Sequence, residues 1–232
     1  MKTSAVIFDL FGTIVDGFAG AASGYQERFA AALGLTNEQI SQPWRQLTDR
    51  RTLGEFQTVE DSIEYLCELL GAAVTAAQIR TAAQVRLDLT RSALRPRPDA
   101  IETFERLRAI GFKIGLLSNC SVEVPIVWPE TEFAQWFDAT VFSSRERIKK
   151  PAAEIYHRAC QRLGVKAEEC LYVADGENYE LAAAAQVGMQ AVLIKTSESH
   201  SEVRREAREW QGASVAKLSE ILAEIGLERP AT

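Results

Sequence analysis

Five short apolar runs, rich in β-branched residues, recur along the chain at Ala5–Phe8, Lys113–Leu117, Ala139–Phe142, Cys170–Ala174 and Gln190–Ile194. Four of the five are nearly continuous in their hydrophobicity rather than alternating, the pattern of strands buried on both faces. Helical periodicity fills the intervals. Ile101, Phe104, Leu107 and Ile110 step by three residues until Gly111, which suits the left-handed position after a helix. Ile155, Ala159 and Leu163 repeat the arrangement before Gly164, and Leu181, Ala182 and Ala185 begin a third helix that stops near Gly188. Strand and helix in alternation predict an α/β fold with a doubly wound, mostly parallel sheet.

Residues 17–92 break the alternation. They carry helical patterns at Tyr25–Leu33, Ile40–Leu47 and Val59–Leu70 and no convincing strand. The pattern predicts a helical unit inserted directly after the first strand, with the α/β core formed by residues 1–16 and 93–232; Pro96 and Pro98 mark the return. A chain of 232 residues is long enough for such a core and a smaller companion. The segment Ser199–Trp210, with its mixed charges, reads as a surface helix or loop with a solvated face. Trp128, Trp136 and Trp210 suit an interface or internal packing, and the oligomeric state stays open.

Composition narrows the function classes. A hydrophobic fraction of 47%, a charged fraction of 25% and a net charge of -6 describe a soluble globular protein and argue against a nucleic-acid partner. No apolar run approaches the roughly 18 residues of a membrane span, and a strand begins within a few residues of the first methionine, so the expectation is a cytoplasmic protein with no membrane partner. The four cysteines, Cys67, Cys120, Cys160 and Cys170, lack zinc-like spacing and read as reduced core thiols. Neither a GxGxxG after the first strand nor a GxxxxGK[ST] is present, which removes the glycine cradles of dinucleotide and P-loop sites.

In open parallel sheets, sites form at the carboxyl edge of the strands. Four of the predicted strands lead there into polar residues: Asp9 in Asp9-Leu10-Phe11-Gly12-Thr13, Ser118-Asn119, Lys149-Lys150-Pro151 after a short loop, and Asp175 with Glu180 five residues on. Each alone is weak, because a strand-end Asp or a Ser-Asn pair commonly caps a helix, and a lysine before proline is commonly solvated. Asn178 and Tyr179 between the two acids suit substrate contact or an exposed first helical turn equally well. The order and placement of the four motifs together are far more specific.

These motifs resemble those of the haloacid dehalogenase superfamily of hydrolases, and the resemblance covers nearly the whole chain. Asp9 through Thr13 resembles the family's first motif, Ser118 its second, Lys150-Pro151 its third, and Asp175 with Glu180 its fourth; residues 17–92 match its inserted helical cap on a Rossmann-like core. The resemblance implies that Asp9 is a carboxylate nucleophile oriented by Thr13, that Lys150 places positive charge against it, and that Ser118 and Asn119 hold substrate oxygens. It further implies a Mg²⁺ ion held by Asp9, the backbone carbonyl of Phe11, Asp175 and Glu180. A hard divalent cation also answers the like-charge crowding of three acids. The substrate would be a small anionic molecule.

Phe11 departs from the pattern. Family phosphatases usually carry a second Asp there, which protonates the leaving alcohol and then activates water, help worth roughly 10²–10⁴-fold in rate. A phenyl ring supplies none of it. The dehalogenase branch carries an aromatic residue at this position, and Trp44-Arg45 resembles its halide- or carboxylate-receiving pair, which would make Arg45 and Phe11 substrate-binding residues. That branch works without metal and lacks the acid at the position of Asp175. A spare buried acid in a metal-free site is costly, so Asp175 weighs more than Phe11. The expected activity is Mg²⁺-dependent phosphate hydrolysis through an aspartyl-enzyme intermediate. The alternative is metal-independent 2-haloacid dehalogenation, and a third reading is an impaired scaffold that binds a ligand or regulates.

Overall fold

In the computed structural model, residues 3–17, 24–195 and 204–226 are described. Six parallel strands form one sheet in the order β3-β2-β1-β4-β5-β6. They are β1 (Ala5–Phe8), β2 (Lys113–Ser118), β3 (Ala139–Phe142), β4 (Cys170–Ala174), β5 (Gln190–Ile194) and β6 (Ala213–Val215). The first five coincide with the predicted runs. The sixth was not anticipated: three residues at a sheet edge are too few to print a hydrophobic pattern.

Alternate residues of each strand serve opposite faces. Val6 and Phe8 of β1 enter one apolar core, with Phe104 and Leu107 of the helix Ala100–Ala109. Ala5 and Ile7 enter a second core on the other face, with Ile155, Tyr156 and Leu163 of the helix Ala153–Leu163. Burial on both faces is why these strands read as continuous apolar runs. Phe8, Phe104 and Phe137 interlock edge to face, with ring centroids 5.4 Å and 5.1 Å apart along the series. Trp128 is buried in the same cluster, which places it in internal packing.

The helical region comprises α1 (Tyr25–Ala32), α2 (Asn37–Gln46), α3 (Thr48–Thr52), α4 (Val59–Leu70) and α5 (Ala76–Ala93) around a third apolar core. Capping boxes at Thr36–Gln39, Thr58–Asp61 and Thr75–Gln78 start α2, α4 and α5 by satisfying otherwise unpaired backbone N–H groups. The sequence pattern missed α3, five largely polar residues without apolar period, yet this short helix carries the side chains that face the sheet edge. It is held there by the Ser143 hydroxyl, which donates to the Thr52 carbonyl at 2.7 Å. Gly54 lies against the Ser144 carbonyl with φ of 68°, where an added Cβ would collide with that backbone.

The chain runs from β1 outward through β2 and β3, then returns to the other side of β1 for β4. The switch of direction falls between β1 and β4. Side chains leaving the carboxyl ends of those two strands therefore converge on one crevice.

Candidate active site

Asp9 is the residue after β1, its backbone N–H bound to the Val173 carbonyl of β4 at 2.9 Å. That bond carries the sheet register to the end of the strand and fixes where the carboxylate begins. Both carboxylate oxygens are engaged: Lys150 Nζ donates to Oδ1 at 2.5 Å and the Thr13 hydroxyl donates to Oδ2 at 3.2 Å. Asp9 is 6% exposed and borders a cavity of about 330 Å³, so it is held in one orientation with an open approach. Gly12, at φ of 77°, turns the chain back; a Cβ there would overlap Asp175 Oδ2, so the turn and the site both require glycine.

Lys150 is the hub. Its ammonium donates to Asp9 Oδ1, to Glu180 Oε2 at 2.5 Å and to the Tyr172 hydroxyl at 3.1 Å, which accounts for all three of its N–H bonds. Burial works against the charge, but Asp9 and Glu180 outweigh it and push the Lys150 pKa up. Asn119 secures this geometry from behind: its side-chain oxygen accepts from the Lys150 N–H at 2.8 Å and its amide donates to the Lys150 carbonyl at 3.1 Å. Asn119 borders the cavity, but its amide group is committed to holding Lys150 in place rather than turned to a ligand.

Glu180 opens the helix α10, named here with its predecessors α6 (Ala100–Ala109), α7 (Glu123–Val127), α8 (Ser143–Glu146) and α9 (Ala153–Leu163); α10 spans Glu180–Gln186. The loop before it holds Asn178 and Tyr179 in the left-handed region, at φ of 55° and 57°. That backbone is costly for tyrosine and directs the Glu180 carboxylate inward. Tyr172 of β4 donates to Glu180 Oε2 at 2.8 Å, and Tyr156 of α9 donates to the Glu180 carbonyl at 2.9 Å.

Asp175, fully buried, pairs through Oδ2 with the Arg204 guanidinium. Its Oδ1 has no hydrogen-bond partner among the described residues. The oxygens of Asp9, Asp175 and Glu180 come within 4.8 Å of one another. Desolvation and the Asp9 charge raise Asp175 to about 6 against the pull of Arg204. Desolvation, with Asp9 and Asp175 adding to it, raises Glu180 to about 8 despite Lys150. Two internal cations therefore leave the three carboxylates under-compensated. Three hard oxygen donors, a partnerless Asp175 oxygen and residual like-charge repulsion together fit a Mg²⁺-type ion.

The predicted site residues are not all brought together. Ser118 ends β2 fully buried, borders neither this cavity nor a second one of about 320 Å³ that adjoins it at Phe11, Thr48, Thr52 and Asn119, and its hydroxyl lacks a partner among the described residues. Phe11 borders both cavities and packs partly on the core. Arg45 is exposed and borders neither. The reason is helical phase: Trp44 of α2 turns inward onto Phe29, with centroids 5.0 Å apart, and the next residue lies about 100° further round the helix. Asn178 borders the cavity at Asp9, whereas Tyr179 is exposed outside it. Cys120 is buried, which pushes its thiol up to about 12 and disfavours the thiolate that a nucleophile needs.

Sequence reasoning missed Tyr172 and Arg204. A tyrosine inside a buried strand needs a partner for its hydroxyl, and that was a usable signal. Arg204 lay in the segment read as a solvated face. Residues 199–203 of that segment lie outside the described residues; residues 205–209 are a surface helix as expected, with Arg205, Arg208 and Glu209 exposed, and the reading is corrected for Arg204 and Glu206. Beside the Arg204–Asp175 pair, Glu206 of α11 (Arg205–Glu209) is buried and accepts from the backbone N–H groups of Leu181 and Ala182 at 3.0 Å and 2.6 Å. It neutralises the N-terminus of α10, which no side chain of its own loop caps.

Comparison with known proteins gives the family. The family model described as haloacid dehalogenase-like hydrolase matches residues 3–188. The chain belongs to the haloacid dehalogenase-like hydrolases. It is 27% identical over 226 residues, 94% of each chain, to a protein of Burkholderia cepacia named (S)-2-haloacid dehalogenase 4A. It is 35% identical over 103 residues, 44% of each chain, to a glyceraldehyde 3-phosphate phosphatase of Methanopyrus kandleri. The crystal structure of a 2-haloacid dehalogenase from Pseudomonas syringae pv. Tomato DC3000 matches its fold with a TM-score of 0.69 at 20% identity, covering 96% of this chain and 97% of that one. The chain is thus a hydrolase of this family, with both dehalogenases and phosphatases among its relatives.

Proposed function

We propose that the protein is a Mg²⁺-dependent phosphohydrolase acting on a small anionic substrate. The observation that carries this reading is the convergence of Asp9, Asp175 and Glu180, with one Asp175 oxygen left without a partner. Asp9, Asp175 and Glu180, with the Phe11 carbonyl implied by the family resemblance, would hold the ion. When bound, it supplies Lewis-acid stabilisation of the phosphoryl oxygens.

The chain's own residues do the rest. Thr13 and Lys150 hold the Asp9 carboxylate so that one oxygen attacks phosphorus while the bond to the leaving oxygen breaks. Lys150 offsets the negative charge that accumulates between nucleophile and phosphoryl group. Water then attacks phosphorus, breaks the bond to Asp9 and releases phosphate. Phe11 offers no proton to the leaving group, so the reading favours substrates whose leaving group departs as a stable anion, acyl and aryl phosphates.

A second reading is 2-haloacid dehalogenation: Asp9 displaces halide at carbon 2, and water cleaves the resulting ester at the Asp9 carboxyl carbon to give the 2-hydroxy acid. The Arg204–Asp175 pair favours it, because the chain then supplies cations of its own to the acids. One panel of acyl phosphates, aryl phosphates and 2-chloropropionate, run with Mg²⁺ and with EDTA, separates the two. Phosphate release that EDTA abolishes is the expected outcome. Chloride release that survives EDTA overturns it in favour of dehalogenation.

A further inference from the structure

The loop that carries Asp175 and Glu180 is covered by a segment from far along the chain. Arg204, the residue before α11, pairs its guanidinium with Asp175 Oδ2. Two residues on, Glu206 accepts from the backbone N–H groups of Leu181 and Ala182. Ala207 lies against Gly176, where φ is 79° and an added Cβ would come within 3.0 Å of the Ala207 nitrogen. Gly12 makes room from the other side: a Cβ there would stand 2.8 Å from Arg204 Nη2. The guanidinium thus lies between the turn after Asp9 and the loop after β4.

Lys150 and Arg204 serve the acids differently. Lys150 is 4% exposed, gives its N–H bonds to Asp9, Glu180 and Tyr172, and has its backbone fixed by Asn119. Arg204 projects from the end of a docked helix, with its side chain 11% exposed. Glu206 and Ala207 seat α11 independently of it, so this long side chain is free to change rotamer without undocking the helix.

Charge decides what such a change accompanies. With Lys150 and Arg204 in place, the three ionised carboxylates carry one negative charge in excess. A doubly charged ion added to that set leaves a buried excess of positive charge. The same ion taken in exchange for Arg204 leaves none. Buried charge without compensation is costly in either sign, so exchange is the cheaper route to loading. A guanidinium and a hard divalent cation also seek the same carboxylate oxygens.

We propose that Arg204 is an exchangeable counter-cation of Asp175: it balances the acids in the ion-free protein, yields that carboxylate to Mg²⁺, and so sets the Mg²⁺ concentration at which the site loads. The inference rests on the reading of Asp9, Asp175 and Glu180 as an ion-binding set. It gives the C-terminal segment a role in the reaction that the strand-end motifs alone do not contain.

The test is ion binding in the absence of substrate. Mn²⁺ is titrated while the electron paramagnetic resonance signal of the free ion is followed, and Mg²⁺ is then added as competitor. Arg204→Gln is expected to bind Mg²⁺ at least about tenfold more tightly than the unaltered chain, the scale of one charge removed at short range. Arg204→Lys, which keeps the charge, is expected to fall between the two, with circular dichroism verifying each fold. A second measurement needs no folded Gln variant. In the unaltered chain the Arg204 Nε–H resonance, assigned by its loss in Arg204→Lys, is expected to move to the position of solvated arginine as Mg²⁺ saturates. A resonance that stays in place at saturation overturns the exchange, as does equal or weaker Mg²⁺ binding by Arg204→Gln; both results leave the ion-binding reading standing. Absence of ion binding in every chain overturns the proposal and that reading together, and leaves Arg204 as the permanent partner of Asp175.

Discussion

The two cavities meet at Phe11 but are built on opposite principles. The one at Asp9 is acidic and sits on the ends of sheet strands, where Lys150 spends every donor on Asp9, Glu180 and Tyr172. The neighbouring one is basic and is walled by short or inserted helices, where the Nε of the buried Arg51 has no hydrogen-bond partner among the described residues. A reacting centre has to be fixed before the substrate arrives, and strands locked by ladder bonds do that.

The largest expected effects lie on the catalytic side. Asp9→Asn should reduce turnover to background with the fold retained; substantial activity in that variant ends the covalent mechanism. Lys150→Ala should also lose turnover and should destabilise the fold by about 3–5 kcal/mol, because buried acids are left without their cation. Chemical denaturation of both variants measures the contrast. Equal stability of the two would mean that the hub is less desolvated than its burial indicates.

Next in size is the response to metal and pH. The folded-state pKa values of Asp175 and Glu180 stand above their ordinary values, at about 6 and about 8. Groups raised in this way contribute stability that is complete below the ordinary carboxylate range and is lost as pH rises through the folded values. Lys150, raised from an already high value, stays charged through this window. Mg²⁺ should therefore raise Tm by about 5–10 °C at a hundredfold excess over its Kd near pH 8, and by much less near pH 5, where it competes with protons. Superimposable melting curves with Mg²⁺ and with EDTA at both pH values would break the metal reading.

The smallest effect concerns the clasp between the two regions. Lys149 Nζ lies 2.6 Å from Asp49 Oδ1, with side chains 32% and 76% exposed. Exposed pairs contribute about 0.2–1 kcal/mol. Asp49→Ala should thus change stability by less than 1 kcal/mol while raising KM a few-fold, since α3 carries walls of both cavities. A large stability loss would show that this clasp, and not the Ser143–Thr52 bond, holds the helical region in place.

The particular elements show what kind of information the chain carries openly. Strands such as Ala5–Phe8 and Cys170–Ala174 were legible because burial on both faces forces a continuous apolar run. Asp9, Lys150, Asp175 and Glu180 were legible because strand ends in a parallel sheet share one edge, and order along the chain places them there. Arg45 misled because adjacent residues of a helix face different ways, and only the packing of Trp44 on Phe29 sets the phase of α2. Helix α3 and strand β6 were silent because neither is long enough to repeat its period.

The sequence by itself determined the parallel α/β sheet, the helical insertion after β1 and the gathering of three acids and a lysine at the sheet edge, since each follows from local periodicity or from position at a strand end. Only the tertiary structure decided which cations meet which acids. Arg204 reaches Asp175, Tyr172 completes Lys150, and Arg51 rather than Arg45 faces the second cavity. Those pairings join residues far apart in the chain, and charge compensation in a buried site depends on distance in space, of which sequence separation carries no record.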